Sequence, residues 1–395
     1  MSRFEGLLIV NALLTFLALS GHLALWVAVS NRIGATGWDH RVARRLRKTI
    51  NLALVGLPLL GLWCYWDRLL QRDWWLGVWP QNFALTCYAL PCWAFFGWVV
   101  ICWSRRRWQL DRSIQARNQS TKVIWLSEGI EQPPVKGSLN RWLSELPGNQ
   151  VLSVEVNRKQ LVVPQCPDGL SGLTITHFSD THISRRFTRE FYEEMFSHVN
   201  RLQSEVIAIT GDLVDLDPVP AWALELYGQL VAPRGVFFVL GNHDFRQRQL
   251  SEFRGALVEH GLFDLGTGSV CQEINEVAVD FSGNECPWSG ATPQDRQDST
   301  DSAFSIALTH SPDQLHWAQQ QQIDLLLAGH MHGGQICFPV IGPIVAPSRH
   351  GVAYSAGCFQ QGVTTMHVSR GAGGLAPLRW NCRPEITQLE IRPAT

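Results

Sequence analysis

A chain of 395 residues is too long for one small core and too short for three ordinary domains, so one domain with an appendage is the expected organisation. Its 33 Lys and Arg against 34 Asp and Glu leave a formal net charge of -1, which removes any global electrostatic case for nucleic acid as a partner. The ten cysteines include no Cys-x-x-Cys pair, which excludes a zinc knuckle and offers no disulfide framework; scattered thiols agree with a reducing compartment.

Leu7 to Val29 contains no charged residue and at helical rise covers about 34 Å, enough to cross a hydrocarbon core of about 30 Å. A cleaved signal peptide is the rival reading. The run is longer than a signal core, however, and only Arg3 supplies a basic flank before it. Two further apolar runs, at about 48–66 and 83–103, complete an expected three-helix transmembrane region over residues 1–109. The second is short and contains Gly56, Pro58 and Gly61. Trp63, Tyr65, Trp66, Trp74, Trp75 and Trp79 near it have the character of an interfacial aromatic belt.

Basic loops set the expected orientation, because Lys and Arg near span ends stay on the cytoplasmic side. Arg41, Arg44, Arg45, Arg47 and Lys48 follow the first run, and Arg105, Arg106, Arg107 and Arg112 follow the third. Both loops share a side if runs two and three both cross or form a hairpin. The N-terminus is then outside and everything after Trp103 cytoplasmic, in a multi-pass membrane protein that touches lipid. Residues 110–150, with Pro133 and Pro134, read as a juxtamembrane connector.

From Val151 to the C-terminus the pattern predicts an α/β domain (151–395), with buried strands at 173–178, 206–210, 235–240, 304–308 and 324–328. Between the first two, Phe191, Met195, Val199 and Leu202 recur on one helical face with Thr188 as cap. Functional residues in such sheets gather past the carboxyl ends of strands. Asp180 and His182 follow the first predicted strand, Gly211 and Asp212 the second, Gly241 to Asp244 the third, His310 the fourth, and Gly329 to His332 the fifth.

So many carboxylates and imidazoles are costly to gather unless cations neutralise them. Asp, His and one Asn, without a thiolate, point to borderline divalent ions such as manganese, iron or zinc. The ordered set Asp180-Thr181-His182, Gly211-Asp212, Gly241-Asn242-His243-Asp244, Thr309-His310-Ser311-Pro312 and Gly329-His330-Met331-His332 resembles the signature of the calcineurin-like metallophosphoesterases. The likeness covers about 151–391. Gly333, Gly334 and Gln335, the Ser369-Arg370-Gly371 turn and the Arg383-Pro384-Glu385-Ile386 ending are similar to the membrane-associated branch that includes UDP-2,3-diacylglucosamine pyrophosphatase-like enzymes.

The resemblance implies a four-layer αββα sandwich. It implies that Asp180, His182 and His332 hold one divalent ion, that Asn242, His310 and His330 hold a second, and that Asp212 bridges them. His243 is then the catalytic non-ligand histidine, with Asp244 orienting it. The reaction implied is hydrolysis of a phosphodiester or pyrophosphate, with a lipid-linked nucleotide among the candidates, by a metal-bridging hydroxide; two ions about 3.5 to 4 Å apart suit it. Departures at Met331 and Phe245 and a poor match over 280–287 bear on the substrate pocket.

Three rival functions stand beside this one: a phosphodiesterase for soluble substrates merely anchored at the membrane, a non-catalytic scaffold, which loss of ligands would mark, and a phosphoprotein phosphatase, whose likeness stops at the metal motifs. No motif indicates an obligate protein partner. His22, His177, His198, His260 and His316 read as ordinary core or surface histidines. His350 and His367 are weaker candidates for substrate contact. Arg185 and Arg186 read equally as a phosphate clamp or a solvated loop.

Overall fold

The computed structural model describes residues 3–69, 71, 75–76, 78–79, 82–113, 116–128, 130–290, 303–374 and 376–394. The chain divides into two compact units, residues 1–112 and 113–395. Trp74 lies outside the described residues.

The first unit is helical: α1 (Arg3–Gly34), α2 (His40–Cys64) and α3 (Phe83–Ser113). Among the described residues two helices are long and apolar enough to cross a membrane, Glu5–Gly34 and Phe83–Arg105. Of the three apolar runs read from the sequence, the first and third correspond to these two helices. The second run is the later part of α2, whose first half carries Arg41, Arg44, Arg45, Arg47 and Lys48 and whose interior holds Pro58. Leu13, Phe16 and Leu23 of α1 and Leu90 and Trp98 of α3 are exposed, so these helices are not the core of a water-soluble bundle. Two of their polar side chains, Asn11 and His22, find partners inside the unit. Asn11 Nδ2 donates to Trp75 O at 2.8 Å, and His22 lies between Tyr88 Oη (2.6 Å) and Leu54 O (2.9 Å).

The second unit is α/β with two mixed sheets. The larger runs in the order β1 (Ala116–Trp125), β2 (Ser153–Val162), β15 (Glu385–Arg392), β3 (Thr174–Phe178), β4 (Val206–Thr210), β5 (Val236–Val239), β6 (Phe263–Asp264). The second runs β13 (Gly357–Gln361), β14 (Thr364–Val368), β10 (Leu325–Ala328), β9 (Phe304–Thr309), β8 (Val277–Asn284), β7 (Val270–Ile274). Residues 116–125, read from the sequence as connector, instead pair antiparallel with β2 from Ala116↔Leu161 to Trp125↔Ser153. Their polar composition suits an edge strand and hides the alternation that marks a half-buried one.

One core is shared by both sheets: Ile175, Ala208 and Phe237 from the first pack with Phe281, Ile306, Leu308 and Leu327 from the second. A second core lies under helices. Thr188 Oγ1 accepts from Phe191 N and starts α4 (Arg189–Arg201), which buries Phe191, Tyr192, Met195, Phe196 and Val199 against Phe178, Ile207 and Ile209. Burial of such side chains contributes about 1.5–3 kcal/mol each. The consequence for function is geometric. β3, β4 and β5 are parallel, as are β8, β9 and β10, so within each sheet their carboxyl ends share an edge.

Candidate metal centre

All five predicted motifs leave directly from those strand ends, and they meet. To turn from strand into loop while keeping side chains aimed inward, the backbone adopts positive φ at Asp180 (54°), His182 (44°), Asp212 (55°), His330 (69°) and His332 (49°). Each such residue costs on the order of 1 kcal/mol, and strain of this kind concentrates at functional sites. Space is just as tight. A Cβ on Gly241 would meet Asp212 Oδ1 at 2.3 Å, and one on Gly211 would meet His310 Nδ1 at 2.6 Å. Only glycine lets β4 and β5 approach this closely.

Two groups form around Asp212. His332 Nε2 lies 3.2 Å from Asp180 Oδ1 and 3.2 Å from His182 Nε2, which itself is 3.5 Å from Asp212 Oδ2. On the other side, His310 Nε2 lies 3.3 Å from Asp212 Oδ2, 3.2 Å from Asn242 Oδ1 and 3.1 Å from His330 Nδ1. Asp180, His182 and His332, and likewise Asp212, His310 and His330, each present ligand atoms within 4.8 Å of one another. These six are buried, whereas Asn242 and His243 are half-buried at the mouth.

Outer partners fix the imidazoles. His310 Nδ1 donates to Thr210 O at 2.7 Å, and His182 Nδ1 to Asp215 Oδ1 at 3.2 Å, so each presents Nε2 to the cluster. The site also demands positive charge. Burial would lower His310, but the adjacent Asp212 outweighs it and raises it to about 9. Burial likewise opposes and Asp215 and Asp212 favour a raised His182, while for Asp212 the surrounding histidines overcome burial and push it well down. Asp180 Oδ1 and His330 Nε2 are buried without a hydrogen bond. His330 meets His310 through Nδ1, so of these two atoms Asp180 Oδ1 is the one beside His182 and His332, and an open carboxylate oxygen among imidazoles fits a divalent metal centre.

The structure changes one assignment and adds three residues. The carboxylate on His243 Nδ1 is that of Asp215, at 2.7 Å, not Asp244. Asp244 faces the other way and accepts from the backbone N–H groups of Leu213, Val214 and Gly241, tying two motif loops together. Burial and the neighbouring Asp212 raise it to about 7. The Gly-Asp-Leu-Val-Asp spacing carried the signal for Asp215, three residues beyond Asp212. Arg379, fully buried, donates from Nη2 to His332 Nδ1 at 3.1 Å and from Nη1 to His332 O at 2.7 Å. Trp288 places its ring 5.3 Å from that of His310 and 5.0 Å from that of His330, forming a wall within the poorly matching region's flank. No local pattern distinguished either residue.

The remaining candidates lie elsewhere. His177 and His367 form a fully buried Nδ1···Nδ1 pair at 2.7 Å that links the two sheets. His350 is exposed and stacks edge-on against Tyr354. Arg186 Nη1 is 4.0 Å from Asp215 Oδ2, whereas Arg185 is exposed.

The sequence profile of the calcineurin-like phosphoesterases matches residues 173–334, which span every motif from β3 to His332. The uncharacterized metallophosphoesterase YkuE of Bacillus subtilis is 31% identical over 239 residues, 57% of this chain and 81% of that protein. The chain belongs to the calcineurin-like metallophosphoesterase family. It is therefore a metal-dependent phosphoester hydrolase, and its substrate is a phosphoester. Phosphodiesterase YaeI of Escherichia coli is 26% identical over 57% of this chain and 84% of its own length. A Danio rerio protein described as a transmembrane protein with metallophosphoesterase domain is 26% identical over 99% of this chain and 90% of its own. The last likeness extends through the apolar helices of this metallophosphoesterase and, with them, indicates membrane association.

Proposed function

We propose that this chain is a membrane-tethered hydrolase of a phosphodiester or pyrophosphate carried by an amphiphile such as a lipid-linked nucleotide, using two ions of manganese, iron or zinc. The observation that carries the reading is the pair of neighbouring donor groups, Asp180, His182 and His332 beside Asp212, His310 and His330, with Asp212 Oδ2 3.5 Å from His182 Nε2 and 3.3 Å from His310 Nε2. Asp180, His182 and His332 would hold one ion, Asn242, His310 and His330 the other, and Asp212 both. Such ions supply Lewis acidity toward phosphoryl oxygens and lower the pKa of water. The core shared by the sheets, with helices under the larger one, supports the four-layer αββα arrangement. The basic residues of α2 support a cytoplasmic catalytic unit, with α2 and α3 crossing or forming a hairpin.

The chain's own groups position and protonate. His243 Nδ1 donates to Asp215, which fixes the ring and favours its doubly protonated form; Nε2 then donates to the leaving oxygen. Burial works against that protonation and holds His243 below its ordinary value, so transfer from Nε2 is readily given up. Trp288 excludes water from one flank of the site.

The deciding experiment compares a model diester, a monoester and a UDP-linked acylated sugar, using the full chain in detergent with manganese. Preference for the acylated pyrophosphate is the expected result. Equal turnover of a soluble diester would favour the anchored soluble-substrate phosphodiesterase, and no turnover of any ester would return the scaffold reading.

A further inference from the structure

A single segment leaves the His330–His332 motif and is tied back beside it. A Cβ on Gly334 would meet Pro343 Cβ at 2.3 Å and Val345 O at 3.2 Å, so the segment lies tight against the motif. At its far end, Ser348 Oγ donates to Asp313 Oδ1 at 2.5 Å and Arg349 N to Asp313 Oδ2 at 2.9 Å, three residues after His310. Ala346 and Ser348 are fully buried. Between these anchors β11 (Cys337–Phe338) and β12 (Gly342–Pro343) pair as a hairpin with Pro339, Val340 and Ile341 at its tip.

The hairpin shows water an apolar face. Ile336 to Pro347 contains no charged residue. Val340 is 76% exposed, Ile341 57% and Val345 56%, with Phe338 and Ile344 also exposed. The Phe338 ring stands edge-on to exposed Trp380 at 6.1 Å. Val340 moreover has φ +68°, a conformation that glycine or asparagine adopts readily and a β-branched residue does not. A turn selected for water would carry neither the strain nor the side chain. Exposed apolar groups gathered beside a site mark a surface that is covered in use.

The occupant is identified by the rest of the chain. Two helices long and apolar enough for a bilayer precede the catalytic unit, and little chain separates them from it: α3 ends at Ser113 and β1 begins at Ala116. An uncharged aliphatic tip flanked by tryptophan matches acyl chains below a headgroup layer, the pattern of interfacial anchors. We propose that the 337–343 hairpin inserts into the bilayer surface and brings the phosphoester of a membrane-resident lipid to the metal centre, an inference that rests on the phosphoesterase reading of that centre. The hairpin is thereby both a second membrane contact and the substrate-side lip of the site.

The test uses the full chain reconstituted in vesicles of phosphatidylethanolamine and phosphatidylglycerol, with Val340 replaced by 4-benzoylphenylalanine. Exposed Val231, 70% exposed on another loop, carries the same replacement as control. Irradiation followed by mass spectrometry is expected to give at least tenfold more lipid adduct at position 340 than at 231. Equal yields, or adducts at 340 with protein alone, overturn the proposal. This readout needs no turnover, so an inactive enzyme that still captures lipid would sink the functional reading and leave the hairpin assignment standing. In an active preparation, Val340→Asp combined with Ile341→Asp is expected to lower the ratio of kcat/KM for a vesicle-borne diester to that for a soluble one at least tenfold. A parallel fall in both values, leaving the ratio unchanged, also overturns it.

Discussion

Asp215 Oδ1 lies 2.7 Å from His243 Nδ1, and the same oxygen reaches His182 Nδ1 at 3.2 Å. One carboxylate thus couples the protonation of His243, the proposed leaving-group acid, to the orientation of a candidate ligand. Asp215→Asn keeps the size but removes the charge that favours imidazolium. A loss of about 10- to 100-fold in kcat is expected, growing as the leaving group becomes more basic. Measuring kcat across diesters with leaving groups of graded pKa checks it; a uniform loss at every leaving group would count against the role.

Asp212 Oδ2 lies between the two donor groups, 3.5 Å from His182 Nε2 and 3.3 Å from His310 Nε2. Chelation of the purified protein is expected to abolish turnover and manganese to restore it. Asp212→Asn should bind less metal by elemental analysis and stay inactive after manganese is added. Full activity in that variant would contradict a shared-carboxylate centre.

Two glycine substitutions should diverge in sign. At Gly241 a methyl group collides with Asp212 Oδ1 at 2.3 Å and with the backbone Asp212 N at 2.5 Å, which cannot swing aside. Gly241→Ala is expected to lower Tm and to remove activity. At Gly255, within the helix Leu250–Glu259, nothing lies within 4 Å, and Gly255→Ala should be neutral or stabilising by up to about 1 kcal/mol. Thermal denaturation of the two variants beside the parent settles the contrast.

Glu385 provides a pH prediction away from the centre. Burial would raise its pKa, but Arg370 at 2.7 Å and Lys159 outweigh this and hold the carboxyl well below its ordinary range. A folded-state pKa below the unfolded value of about 4.3 means the ion pair contributes fully above that pH, and its contribution drains away as pH falls through the folded pKa. Glu385→Gln, which leaves Arg370 partly uncompensated, should cost about 3 kcal/mol at neutral pH. The gap between parent and variant should narrow below about pH 4. Denaturant titrations at pH 7 and pH 3.5 would show it; a gap that widened in acid would refute the sign.

The strands that carry the motifs were legible because each is a short run rich in apolar and β-branched residues that ends at a polar motif, as buried parallel strands in α/β folds do. β1 was not. Ala116 to Trp125 is an edge strand with mostly polar side chains, and its pairing with β2 depends on distant partners, from Trp125↔Ser153 to Ala116↔Leu161. The second apolar run was less legible for a related reason. An apolar run of marginal length cannot reveal that it is the end of a longer helix beginning with basic residues.

By itself, the order of Asp, His, Asn and Gly determined the family and the kind of chemistry, and the long uncharged runs determined the apolar N-terminal helices, because these properties reside in residue type and spacing along the chain. Only the tertiary structure decided that Asp215, and not Asp244, holds His243, that Arg379 lies behind His332, and that an apolar hairpin is pinned beside the centre. Those are relations between strand ends brought together across two sheets, where direction and distance arise from packing and have no trace in local sequence.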